Sequence, residues 1–79
     1  MRVQFYAQLR ELIGVHELEL ELPQGATVRE LLEKIYAQKS ALRAYDKSIL
    51  VGADLEFVDR NYKLNSGDEI AIMPPVQGG

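Results

Sequence analysis

The residues of this 79-residue chain whose types and order point most directly to chemistry are the last six, Pro74-Pro75-Val76-Gln77-Gly78-Gly79. Two closing glycines turn the C-terminal carboxylate into the least hindered acyl group a protein can offer. A segment without side chains passes through a slot too narrow for any Cβ, and glycine adopts backbone angles that other residues avoid. The paired prolines stiffen the exit from whatever precedes them. At roughly 7% glycine usage, a Gly-Gly end arises by chance in about one chain in two hundred. A frayed, functionless end is the competing reading, since loose termini are common.

No other constellation supports an autonomous active site. His16 is the single histidine and there is no cysteine to pair with it, which disfavours a zinc site or a Cys-His nucleophile and leaves a surface histidine. Ser40, Ser48 and Ser66 lack a nucleophile-elbow motif, and no glycine-rich phosphate loop precedes a helix. Asp68 and Glu69 are adjacent, but neighbouring strand positions send their side chains to opposite faces, so turn and strand chemistry accounts for them. Glu17, Glu19 and Glu21 share one side of an alternating run; a solvated face that discourages edge pairing explains them more simply than a cation site does. No metal site is expected. What remains is a tail that serves as substrate for one enzyme and as reagent inside another protein, which describes a carrier.

The composition narrows the setting. A formal charge of -3 with nine scattered basic residues argues against a nucleic-acid footprint. Without cysteine there is no disulfide and no cysteine persulfide, so sulfur chemistry would have to use another atom. No apolar stretch approaches the ~18 residues of a membrane span, and Met1-Arg2-Val3-Gln4 does not open a signal peptide, so no membrane contact and a cytoplasmic location are expected.

Alternation supplies the elements that would position the tail. Val3, Phe5 and Ala7 alternate with Arg2, Gln4, Tyr6 and Gln8 as a first strand. Leu9, Leu12 and Ile13 take helical spacing, with Gly14 placed to end a short helix. A second strand runs from Glu17 to Leu22, with Leu18, Leu20 and Leu22 facing inward. After the Pro23-Gln24-Gly25 turn, Thr27 and Glu30 have capping-box spacing, and Val28, Leu31, Leu32, Ile35 and Tyr36 form one stripe of the main helix. The pattern weakens from Lys39 to Lys47. Ile49, Leu50 and Val51 mark a short strand, and Leu55, Phe57 and Val58 another extended piece. Asn65-Ser66-Gly67-Asp68 is a turn by composition, before a last strand in which Ile70 and Ile72 alternate with Ala71 and Met73.

This order predicts an α+β fold: a mixed sheet with the main helix packed on one face, for which a β-grasp arrangement is the natural candidate. The first and last strands would lie side by side and parallel at the centre, joined through the crossover helix. Residues 1–73 would make one domain, and residues 74–79 a flexible protruding tail. The same alternation leaves Tyr6 and Met73 on the face away from the helix, where an apolar patch at the tail root could be gripped by a partner; scattered surface apolarity is the alternative.

Three stretches together, Val3-Gln4-Phe5-Tyr6-Ala7-Gln8-Leu9-Arg10-Glu11-Leu12, Gly67-Asp68-Glu69-Ile70 and Pro74-Pro75-Val76-Gln77-Gly78-Gly79, resemble the MoaD/ThiS family of ubiquitin-like β-grasp sulfur carriers, and most specifically its molybdopterin synthase small-subunit branch. The likeness spans the whole chain, although Gln77 stands where many relatives have Thr or Ser. The resemblance implies that an ATP-using, ubiquitin-activating-like (E1-like) adenylyltransferase adenylates Gly79 and that a sulfur donor converts it to a thiocarboxylate. The tail Pro74, Pro75, Val76, Gln77 and Gly78 would then enter the large subunit of molybdopterin synthase, where sulfur passes to a cyclic pyranopterin precursor of the molybdenum cofactor. It further implies docking through Tyr6, Phe57 and Met73, no stably bound cofactor, catalytic residues supplied by the large subunit, and a hetero-oligomer of two small and two large subunits. Thiazole-forming and tRNA-thiolation carriers share the tail chemistry, and a ubiquitin-like modifier would join Gly79 to a lysine instead.

Overall fold

A computed structural model of the chain describes residues 1–75. Five strands and two α-helices follow in the order β1 (Arg2–Phe5), α1 (Ala7–Ile13), β2 (Glu17–Glu19), α2 (Val28–Gln38), β3 (Leu50–Ala53), β4 (Glu56–Val58) and β5 (Ile70–Met73), with a 3-10 helix over Ser40–Tyr45 between α2 and β3. The sheet order is β2-β1-β5-β3-β4. β1 and β5 are parallel, with Val3 opposite Ile70 and Phe5 opposite Ile72, while the other three pairings are antiparallel. Parallel neighbours need a long crossover, and everything from α1 to β4 lies between them in the chain. The expected mixed sheet and central parallel pair are therefore present.

One sheet face is closed by α2. Val3, Phe5, Val51, Ile70 and Ile72 on the strands and Leu31, Leu32, Ile35 and Tyr36 on the helix are all at most 2% exposed and form one core. Fully burying a side chain of this size contributes roughly 1.5–3 kcal/mol, so this sandwich is the main source of stability. The helix starts where the capping box places it: the Thr27 hydroxyl accepts from the Glu30 N–H at 3.3 Å, and the Glu30 carboxylate accepts from the Thr27 N–H at 3.1 Å. The next two free amides find distant partners, Val28 on the Tyr62 carbonyl and Arg29 on the Arg60 carbonyl, both at 3.0 Å. Gly14 ends α1 at φ 76, a left-handed geometry that glycine takes without steric cost.

Four local expectations are corrected. The first strand does not extend through Ala7, which is exposed and opens α1 at φ 54, because the chain must turn sharply after Tyr6 to bring Leu9 into the core. The second strand stops at Glu19. Leu20 still exchanges hydrogen bonds with Met1, but the Glu21 carbonyl accepts from Lys34 Nζ at 2.9 Å, turning the chain toward α2. Ile49 is buried just before β3, which instead runs on to Ala53. Leu55 is not extended: Asp54 and Leu55, at φ 50 and 72, form the two-residue turn of the β3–β4 hairpin, the positive-φ geometry that matches strand twist.

The weakly patterned stretch after α2 holds the 3-10 helix. Its one buried residue is Leu42, too little to show a period. Polar contacts fix it. The Asp46 carboxylate accepts from the Tyr36 hydroxyl at 2.6 Å and from Arg29 at 2.9 Å, while Arg60 donates to the Asp46 and Ile49 carbonyls at 2.7 and 2.8 Å.

Candidate functional site

The face of the sheet opposite α2 carries the site. Strand register aligns Glu17, Gln4, Ala71, Gly52 and Phe57 in one row across all five strands. The two central members are the smallest, so the row sags into a hollow of about 280 Å³ floored by Gly52 and Ala71. Its walls are Tyr6, Leu55, Phe57 and Met73, with Glu69 on the rim and the Glu56 backbone carbonyl along one edge. The Tyr6 hydroxyl donates to Gln4 Oε1 at 2.8 Å, which holds the phenol along the sheet, and the Tyr6 N–H donates to the Ile72 carbonyl. A Cβ built on Gly52 would sit 3.5 Å from Met73 Cε and 3.8 Å from Ala71 Cβ, ordinary contact distances. With the Glu56 carbonyl at 3.7 Å as well, a Cβ would be accommodated in ordinary contact, so crowding does not demand the glycine.

The three residues expected to grip a partner, Tyr6, Phe57 and Met73, thus meet in one hollow. Gln4, Gly52 and Leu55 belong to it as well. Parity along β3 and β4 carries Phe57 and Gly52 to the same face, a signal available once the hairpin turn is placed at Asp54-Leu55. Exposure supports a contact role: Tyr6 is 41%, Phe57 65% and Leu55 fully exposed. The remaining exposed large apolar residues among those described, Leu12 and Tyr45, line a second groove with Pro74 and Pro75. Such side chains therefore gather on both flanks of the point where β5 ends.

Of the expected tail residues, Pro74 and Pro75 follow Met73 directly, so the segment leaves from a central strand. Val76, Gln77, Gly78 and Gly79 lie outside the described residues. The residues set aside as structural behave so. His16 is exposed and only its carbonyl is engaged, by the Phe5 N–H. Asp68 is buried, and its carboxylate accepts from the Asn65 N–H at 2.9 Å, closing the turn before β5. Glu17 and Glu19 flank Arg2, with the closer pair at 3.0 Å. Among the described residues no cluster of three or more metal-ligating side chains occurs, and no helix is long and apolar enough to cross a membrane.

A five-stranded mixed sheet packed on one helix, with its last strand central and running straight into the tail, defines a ubiquitin-like β-grasp protein. The chain belongs to the ThiS family, whose model matches residues 3–79. It is 38% identical over 81 aligned residues to the molybdopterin synthase sulfur carrier subunit of Chlamydomonas reinhardtii, covering 100% of this chain and 98% of that protein. It is 36% identical to the protein of the same name from Escherichia coli (strain K12), covering 100% and 99%. Among solved structures it is similar to SAMP1, small archaeal modifier protein 1, from Haloferax volcanii, with TM-score 0.86 and 27% identity over 99% of this chain and 97% of that one.

Proposed function

We propose that this chain is the sulfur-carrying small subunit of a molybdopterin synthase. The observation that carries the reading is that the apolar hollow and the tail share strand β5: Met73 lines the hollow and Pro74 is the next residue. Four residues separate Pro75 from Gly79, so the reacting carboxyl lies at most roughly 14 Å from Pro75. Any protein that works on Gly79 must therefore close over the tail root, where the exposed apolar side chains gather. The full-length likeness to two named sulfur carrier subunits supports the large subunit of that synthase as the partner.

The chemistry follows from what a carboxylate lacks. A Gly79 carboxylate oxygen attacks the α-phosphorus of ATP in the E1-like enzyme, and pyrophosphate leaves. A sulfur nucleophile at the oxidation level of hydrosulfide then adds to the acyl carbon and expels AMP, giving the thiocarboxylate. In the large subunit the sulfur forms a C–S bond to a carbon of the pyranopterin precursor as that carbon's C–O bond breaks and its oxygen substituent leaves. Water then cleaves the acyl–sulfur bond, restoring the carboxylate and leaving the sulfur on the precursor. This chain supplies no general acid or base; it positions an acyl group. ATP is bound and spent by the activating enzyme, and we place the cycle in the cytoplasm in an assembly of two small and two large subunits.

Deleting Gly78 and Gly79 tests the reading. Sulfur transfer to the precursor should vanish, while the body keeps affinity for the large subunit. Retained transfer would contradict it. The likeness to SAMP1 favours a second reading, in which the same acyl-adenylate is passed to protein lysines. Conjugates in cell extract that disappear on the same deletion would support that reading.

A further inference from the structure

Resting on the carrier reading, the geometry points to a more specific contact: we infer that the hollow over Gly52 and Ala71 is a socket for one large apolar side chain that the large subunit presents beside a basic residue, and that Gly52 sets the size it admits. Three features support this. Gly52 is in ordinary strand geometry and a Cβ there would fit, so neither backbone conformation nor crowding requires glycine; what its absence of a side chain provides is room on the face.

Leu55 is the second feature. It occupies the second position of the hairpin turn at φ 72, where Gly or Asn is favoured and a bulky side chain is strained. It is also fully exposed, so the fold gains no burial from it. Strain kept without a packing return points to use of the side chain by something outside the chain. The turn that presents it is anchored on both sides of Asp54, whose N–H donates to the Glu69 carbonyl and whose carboxylate accepts from the Glu69 N–H, each at 3.0 Å.

The third feature is charge. Glu69, in step with Ala71 and Met73, borders the apolar floor, and among the described residues no Lys or Arg pairs with it. Arg2 on the same face is already engaged by Glu17 and Glu19. An incoming Lys or Arg would meet the uncommitted Glu69 carboxylate beside an apolar surface, which selects a cationic neighbour for the inserted side chain.

The test is calorimetric affinity for the molybdopterin synthase large subunit, measured with the full-length chain. Gly52→Val, which fills the floor, should weaken binding by about tenfold or more, as for a blocked central contact. Gly52→Ala should fall between it and the unsubstituted chain. Leu55→Gly relieves the turn and should leave the melting temperature unchanged or higher, yet weaken binding by about threefold or more. Because Leu55→Gly favours folding, it decides the matter even where Gly52→Val is poorly folded. Glu69→Gln should reduce the salt dependence of binding. Unchanged affinity in folded Gly52→Val or in Leu55→Gly, or an unaltered salt slope in Glu69→Gln, overturns the socket while leaving the carrier reading intact. Absence of any binding by the unsubstituted chain overturns the carrier reading, and the socket's occupant with it.

Discussion

At the scale of single residues, the Tyr36–Asp46 contact couples stability to pH. The Tyr36 hydroxyl bonded to Asp46 holds that carboxyl below its ordinary value of 3.8, and the nearby Arg29 acts in the same direction. Burial, together with the same hydrogen bond, pushes the Tyr36 phenol well above 10.0. A carboxyl with a lowered folded pKa stabilises the fold above its unfolded pKa, and that contribution is lost as pH falls through the lowered value. A phenol with a raised folded pKa stabilises below its unfolded value, and its contribution declines as pH rises past about 10. Asp46→Asn should therefore cost about 1.5–3 kcal/mol near pH 7, the range for a hydrogen bond to a charged group. The difference in melting temperature between Asp46→Asn and the unsubstituted chain should shrink as pH drops below about 4. A difference independent of acid pH would show that the carboxylate charge is not what matters. Phe57 makes the complementary case. It is 65% exposed, so Phe57→Ala should leave the melting temperature within a degree or two while weakening large-subunit binding by about tenfold. Equal affinity would remove Phe57 from the contact.

At the scale of elements, α2 rests on a capping box whose neighbours Val28 and Arg29 are capped from the Arg60–Tyr62 segment. Thr27→Ala removes one of these supports and should cost about 1 kcal/mol, lowering the melting temperature by about 4–8 °C in a domain of this size. Sulfur loading of the tail should be unaffected. The same helix shows why much of the fold could be read in advance. Its cap, its apolar stripe and the alternation of β5 are local patterns that tertiary packing reinforces. Legibility failed where one long-range requirement replaced a local period. Leu42 alone anchors the 3-10 helix, and Ala7 and Leu55 take positive φ because the chain must turn there, against their own preference. The hollow was half legible for the same reason. Tyr6, Phe57 and Met73 lie on one face by resemblance and parity, but the contribution of Gly52 appears only when register sets it between Ala71 and Phe57.

At the scale of the whole molecule, the sheet has two jobs on opposite faces. One is buried under α2 and sustains the fold; the other is held open beside the end of a central strand. Placing β5 between β1 and β3 fixes the tail root rigidly on both sides, so a partner that grips the hollow knows within roughly 14 Å where the Gly79 carboxyl lies. On the carrier reading, docking and reaction are separable: the body would supply affinity and orientation, and the tail the acyl group. The most direct test of this account is the intact mass of the thiocarboxylated chain, before and after incubation with the pyranopterin precursor and the large subunit. The sulfur-for-oxygen mass increment should disappear only when both are present. An increment that persists with both present would contradict it and turn attention to a different sulfur acceptor.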